Sequence, residues 1–150
     1  MLAFLGKFLK QSQTNNLKYK GLYPETILDL DIKVSFGMGT PTHVPWISLL
    51  GSGMLTSNGY YPVYLYYKKD EVLVLAYGIS ETVEFEHSWT KEIVDENIKI
   101  SELLDKPFRY GASYVFSSYQ IKFTNEKVQF FSNKKELTTE DLSRDLEKIV

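Results

Sequence analysis

The side chains that could carry covalent or metal chemistry are few and badly placed for it. There is no cysteine, so thiolate metal sites, a cysteine nucleophile and disulfides are all excluded. His43 and His87 lie far apart, and neither has an acidic partner at metal-ligand spacing. No phosphate loop of the form G-x-x-x-x-G-K-[ST] occurs, and Gly37-Met38-Gly39 is only a Gly-x-Gly. No serine sits in a nucleophile elbow. The nearest approach to a catalytic pattern is Glu25 followed by Asp29-Leu30-Asp31-Ile32-Lys33, which faintly resembles the acid-x-lysine core of some metal-dependent nucleases. Its acids are crowded into one strand approach instead of two strands of a hairpin. Simple alternation toward solvent accounts for Asp31 and Lys33. The chain therefore reads as a binding domain, not an enzyme, with no cofactor or metal of its own.

What is abundant is binding chemistry. Aromatic residues make up 15% of the 150 residues, eleven of them tyrosine, and they cluster at 60–77 and 108–131. Tyrosine suits places where one end of a ring packs and the other meets a ligand. Charge is unevenly laid out although the formal net charge is only −2. Residues 1–24 carry Lys7, Lys10, Lys18 and Lys20 and no acid, and residues 106–123 carry Lys106, Arg109 and Lys122 and no acid. Residues 70–105 hold ten acids against Lys91 and Lys99. That asymmetry predicts one basic and one acidic face, with Lys18, Lys20, Lys106, Arg109 and Lys122 as candidate phosphate contacts.

The elements that must position these groups follow from periodicity. Leu2, Leu5, Phe8 and Leu9 predict a helix from Met1 to about Gln13. Leu30, Ile32, Val34 and Phe36 alternate with Asp31, Lys33 and Ser35, a half-buried strand leading into a loop at 37–42. Trp46 to Leu50 is a second apolar run, and Tyr61 to Tyr67 and Val72 to Tyr77 predict a hairpin around Lys68-Lys69-Asp70. The second of these is apolar on both faces and belongs in the centre of a sheet. Residues 95–104 predict a helix with Ile98, Leu103 and Leu104 inward. Tyr114 to Phe123 and Val128 to Phe131 predict two strands around Asn125-Glu126. Leu142, Leu146, Ile149 and Val150 mark a C-terminal amphipathic helix capped by Thr138 or Thr139. The expected fold is α+β: one domain with a mixed, mainly antiparallel sheet flanked by short helices. The chain stops inside its last helical pattern, as a piece of a longer protein would. It lacks a signal peptide and a bilayer-length apolar run, which fits a cytoplasmic setting.

Five stretches carry a family resemblance: Val34-Ser35-Phe36-Gly37-Met38-Gly39, Val44-Pro45-Trp46, Leu50-Gly51-x-Gly53, Ser57-Asn58-Gly59-x-Tyr61-Pro62-Val63-x-Leu65-Tyr66-Tyr67-Lys68, and Leu73 through Thr82. A weaker match follows at Tyr110-Gly111-x-Ser113-Tyr114. Together they are similar to the N-terminal DNA-binding domains of the McrB family, the recognition subunits of methylcytosine-dependent restriction systems. The resemblance implies binding to double-stranded DNA with a modified cytosine, which is turned out of the stack into an aromatic pocket. Carried over by position, Trp46, Tyr61, Leu65 and Tyr110 are the pocket candidates, and the loops at Gly37, Met38, Gly39, Thr40, Thr42, Ser57 and Asn58 are the DNA-facing ones. Met38 departs from the pattern, since the best-known relative has tyrosine there. The resemblance also implies a GTP- and Mg-dependent motor domain beyond this chain and a separate McrC-like nuclease subunit.

The residues fit this picture on physical grounds too. Residues two and four apart in a strand share a face, so Tyr61 and Leu65 can line one wall, with Leu65 and the ring of Tyr61 offering a niche to a C5-methyl group. Cytosine's amino group needs an acceptor, for which Glu81 is a candidate. Two other readings remain at this point: a reader of unmodified sequence that does not flip a base, and a protein-interaction module using the tyrosine-rich face.

Overall fold

Short apolar runs joined by tight turns pair readily with their neighbours in the chain, and the sheet of this molecule follows chain order. The computed structural model describes residues 3–50, 61–78, 98–104, 114–125 and 127–149. Eight strands, β1 (Thr26–Ile27), β2 (Leu30–Ser35), β3 (Trp46–Leu50), β4 (Tyr61–Tyr67), β5 (Val72–Gly78), β6 (Tyr114–Thr124), β7 (Lys127–Ser132) and β8 (Lys135–Leu137), form one sheet in chain order. Every described pairing is antiparallel, so the sheet is a meander of the α+β class expected. Among the described residues three helices accompany it: α1 (Ala3–Ser12), α2 (Ile100–Leu103) and α3 (Thr139–Ile149).

The two central strands are apolar on both sides, so the sheet has two buried faces. On the first, Tyr64, Tyr66, Leu73 and Leu75 pack with Phe8 and Leu9 of α1 and with Leu142 and Leu146 of α3. On the second, Tyr61, Val63, Leu65 and Tyr67 pack with Val74, Ala76, Val115 and Ile100 of α2. The predicted hairpin joins β4 and β5, with Tyr67 paired to Val72 and Glu71 at φ +55 closing the turn. The expected central placement of β5 holds.

Three details differ from the sequence reading. Ile98 was expected to face inward on a helix over 95–104. Instead it is 46% exposed, lies outside the helix and accepts the Val115 N–H at 2.8 Å. Lys99, bridged to Tyr114, keeps an extended backbone there, so the helix begins only at Ile100. The two short strands β1 and β8 were not anticipated: each is two or three residues long, too brief to show a period. β8 is turned back on β7 by Asn133 and Lys134, both at positive φ.

The last helix starts as expected. The Asp141 N–H donates to Thr138 Oγ1 at 3.2 Å while Thr138 N–H donates to Asp141 Oδ2 at 2.9 Å, a reciprocal cap. The Tyr119 hydroxyl donates to Asp145 Oδ2 at 2.7 Å, tying this helix to the sheet. Beside it the buried Tyr64 hydroxyl has no hydrogen-bond partner among the described residues.

Two outcomes follow for stability. Tyr64→Phe removes a buried unsatisfied polar atom and should raise stability by about 1 kcal/mol, whereas Tyr119→Phe, which strands Asp145, should lower it by a similar amount. Burial, assisted by the Asp145 carboxylate, pushes the Tyr64 hydroxyl above the ordinary tyrosine range. Burial, assisted by Glu71, pushes Tyr66 up to about 12. The folded chain therefore holds protons that the unfolded chain gives up above about pH 10. Stability from these groups is intact below that pH and is lost as pH rises toward 12. Urea unfolding of wild type and both variants between about pH 8 and pH 11 checks both statements; an alkaline limb of unchanged stability would contradict the second.

Candidate nucleic-acid interface

Register fixes which side chains can meet on the second face. Trp46 on β3 is paired with Leu65 on β4, which is paired with Val74 on β5. The next rung toward the other end of the strands is Lys33, Ser48, Val63 and Ala76. The rung beyond begins with Tyr61 opposite Gly78. Paired residues share a face, so a row of small or short side chains runs between Trp46–Leu65 on one side and Tyr61 on the other. Four residues of strand separate Tyr61 from Leu65, roughly 13 Å along the chain. Leu65 is 2% exposed, Tyr61 is also buried, and Trp46 is half-buried. Leu65 thus lies deep in this face and Trp46 nearer its surface. Ser48 is buried on the same face.

Three of the four pocket candidates therefore share one patch. The fourth, Tyr110, lies outside the described residues, as do Ser57, Asn58, Lys106, Arg109 and Glu81. Lys122 is exposed on β6 on this second face, its ammonium 5.9 Å from the Phe131 ring centroid. It borders a hollow of about 400 Å³ that Asp70, Glu71 and Lys134 also line. Lys18 and Lys20 are exposed beside Leu17 and Tyr23, which pack with the first-face core, so they sit with the opposite layer. Lys33 is the cation that sequence reasoning passed over. It had been set aside with the nuclease-like acids, yet alternation in β2 puts it on the second face, exposed at the end of the small-residue row. Among the described residues no cluster of His, Asp or Glu could hold a metal ion.

The loop before Trp46 is rigid where it bends. Gly37 adopts φ +117, and a Cβ there would strike the Thr40 carbonyl oxygen and come within 2.7 Å of the Thr42 nitrogen. The Thr42 N–H donates to the Phe36 carbonyl at 2.9 Å, closing the loop at its base. Gly39, at φ +77, has open space around it. Between them Met38 projects with 95% of its surface exposed. A large apolar side chain is thus held almost wholly in water on a tight loop. Thr40 is exposed on the same loop, and Thr42 Oγ1 accepts the Val44 N–H at 3.3 Å.

This arrangement is that of a recognition domain of the MrcB-like, N-terminal type, and the chain belongs to that family, whose model matches residues 3–150. It is 38% identical over 135 residues to the type IV methyl-directed restriction enzyme EcoKMcrB subunit of Escherichia coli (strain K12). That match covers 86% of this chain and 29% of the relative.

The two loop glycines should respond differently to alanine. Gly37→Ala meets both a forbidden backbone angle and two backbone atoms, and should lower stability by more than about 2 kcal/mol. Gly39→Ala carries only the left-handed penalty, about 1 kcal/mol. Thermal unfolding of the pair checks this; equal losses would mean the loop relaxes around Gly37.

Proposed function

We propose that this domain binds DNA carrying a methylated cytosine, turns that base out of the duplex and seats it on the second face of the sheet, as the specificity part of a modification-dependent restriction system. The observation that carries the reading is the patch itself: Trp46, Leu65 and Tyr61 surround a row of short side chains on one face, beside a loop that presents Met38 to solvent. In this reading Trp46 and Tyr61 stack on the base, Leu65 and Val63 receive the C5-methyl group, and Ser48 offers a hydroxyl to the base edge. Met38, unbranched and polarizable, enters the duplex as an apolar wedge and fills the space the base leaves. Lys33 and Lys122 meet phosphates.

The magnitudes are compatible. Extruding a cytosine costs a few kcal/mol, and each aromatic wall returns roughly 1–3 kcal/mol. The buried methyl adds about 0.8 kcal/mol, or about fourfold in affinity. A methyl preference above about fourfold therefore requires a close fit of the floor as well. The chain spans about 29% of its relative. GTP-dependent motor activity with Mg, and cleavage through a nuclease subunit, belong in this proposal to the parts and partners outside it.

Matched duplexes differing only in one C5-methyl group test the reading. Wild type should prefer the methylated duplex, and Trp46→Ala should lose roughly 1–3 kcal/mol on it while still unfolding cooperatively. Leu65→Ala should cost about 2–5 kcal/mol of stability, so Leu65→Val, which keeps most of the floor, is the better probe of the methyl preference. Lys33→Ala should reduce the slope of log affinity against log salt by about one unit. Equal wild-type affinity for both duplexes would leave a sequence reader without flipping, and no affinity for either would leave a protein-interaction module.

A further inference from the structure

The first-face layer carries its own organised basic surface. Residues 13–24, between α1 and β1, are held against α1 by two of its side chains. Gln11 Nε2 donates to the carbonyls of Asn16 at 3.0 Å and Lys18 at 2.6 Å, and Gln11 Oε1 accepts the Tyr23 hydroxyl at 2.9 Å. Lys7 Nζ donates to the Leu22 carbonyl at 2.8 Å and lies 5.6 Å from the Tyr23 ring centroid. Leu17 and Tyr23 are turned inward. What this bracing leaves outward is Lys18, Tyr19, Lys20 and Leu22, with Tyr19 42% exposed. The turn is closed by Leu22 N–H donating to the Tyr19 carbonyl at 3.1 Å. Leu22 in turn borders an open groove of about 720 Å³ running along α1, with Ala3, Gly6 and Val128 on its apolar side and Lys10 at its edge.

The groove has an apolar bed with Lys7 and Lys10 among its lining residues, and the loop that reaches it at Leu22 carries the exposed Tyr19 ring between Lys18 and Lys20, in a stretch of 24 residues without an acid. Stacking rings plus cations that track a backbone are the chemistry of single-strand nucleic-acid binding. A duplex hides its base faces, so the face of an exposed ring is used for stacking only where bases are unpaired. We propose that Lys10, Lys18, Tyr19 and Lys20 form a second nucleic-acid site, which takes a short single-stranded DNA segment on the sheet face opposite the candidate base pocket. An unpaired base stacks on Tyr19, the adjacent phosphates meet Lys18, Lys20 and Lys10, and a neighbouring base covers Leu22. The site is indifferent to cytosine methylation and does not depend on the base-flipping reading.

Dye-labelled oligothymidine, which contains no cytosine, is the probe, and its anisotropy is followed against wild type and variants. Wild type should bind it with an affinity that falls as salt rises. Tyr19→Ala should weaken binding about tenfold, Tyr19→Phe should restore it, and Lys18→Ala with Lys20→Ala should lower the salt slope by about 1.4 units. The Trp46→Ala chain should bind oligothymidine as wild type does, and Tyr19→Ala should keep whatever preference wild type shows for methylated duplex. The proposal is overturned if oligothymidine does not bind, if the Tyr19 and lysine variants bind it unchanged, or if binding disappears in Trp46→Ala instead, because thymine would then be entering the pocket. Failure of the pocket reading shows separately, as equal affinity for the two matched duplexes.

Discussion

The arrangement depends on the register of β4 between β3 and β5. Each of these strands is apolar on both sides, so hydrophobicity alone does not say which face a given residue takes. The pairing does. Because side chains alternate with period two, a slip of one residue would exchange the two faces. Tyr64 and Tyr66 would then stand where Tyr61, Val63 and Leu65 now stand. The short turn at Lys68–Glu71 pins β4 to β5. The Tyr66 N–H, which donates to the Pro45 carbonyl at 2.9 Å, pins β4 to the start of β3. With those two constraints in place, Trp46 must lie beside Leu65, and the short side chains of Ser48, Val63 and Ala76 must follow as a row.

The two faces then take different work. The first packs against α1 and α3, and its buried tyrosines belong to the core, including a Tyr64 hydroxyl that finds no partner among the described residues. The second is partly covered by α2 through Ile100 and Leu104. There Trp46 is half-buried, and Lys33 and Lys122 are exposed. Strand parity thus sends Tyr64, Tyr66 and Tyr119 to the first face and Tyr61 and Tyr67 to the second.

Much of this was legible in the sequence. The alternation of Leu30 to Phe36, the two-sided apolar run of Val72 to Tyr77 and the capped amphipathic pattern after Thr138 each name an element, because burial of one face imposes a period on the chain. Parity also placed Tyr61 with Leu65 correctly. What was not legible depends on pairing between strands distant in sequence. Trp46 opposite Leu65 needs the register of β3, and Lys33 joined the candidate interface only once β2 was seen beside Ser48. Its own neighbours, Asp29 and Asp31, pointed to a different chemistry. Ile98 failed because helical spacing cannot show that an extended bridge to Tyr114 delays the helix. Whether Leu65 is floor or wall is a matter of depth, which a periodic pattern does not contain.

The central claim is that an extruded methylcytosine lies on the second face, with its methyl group over Leu65 and Val63. A duplex carrying one ¹³C-labelled C5-methyl group, bound to the domain with labelled leucine and valine methyls, reports this contact directly by NMR. The account predicts nuclear Overhauser effects from the base methyl to the methyls of Leu65 and Val63, and none to those of Leu73 on the opposite face. A base methyl that keeps its contacts to neighbouring bases within the duplex, with none to Leu65 or Val63, would contradict it.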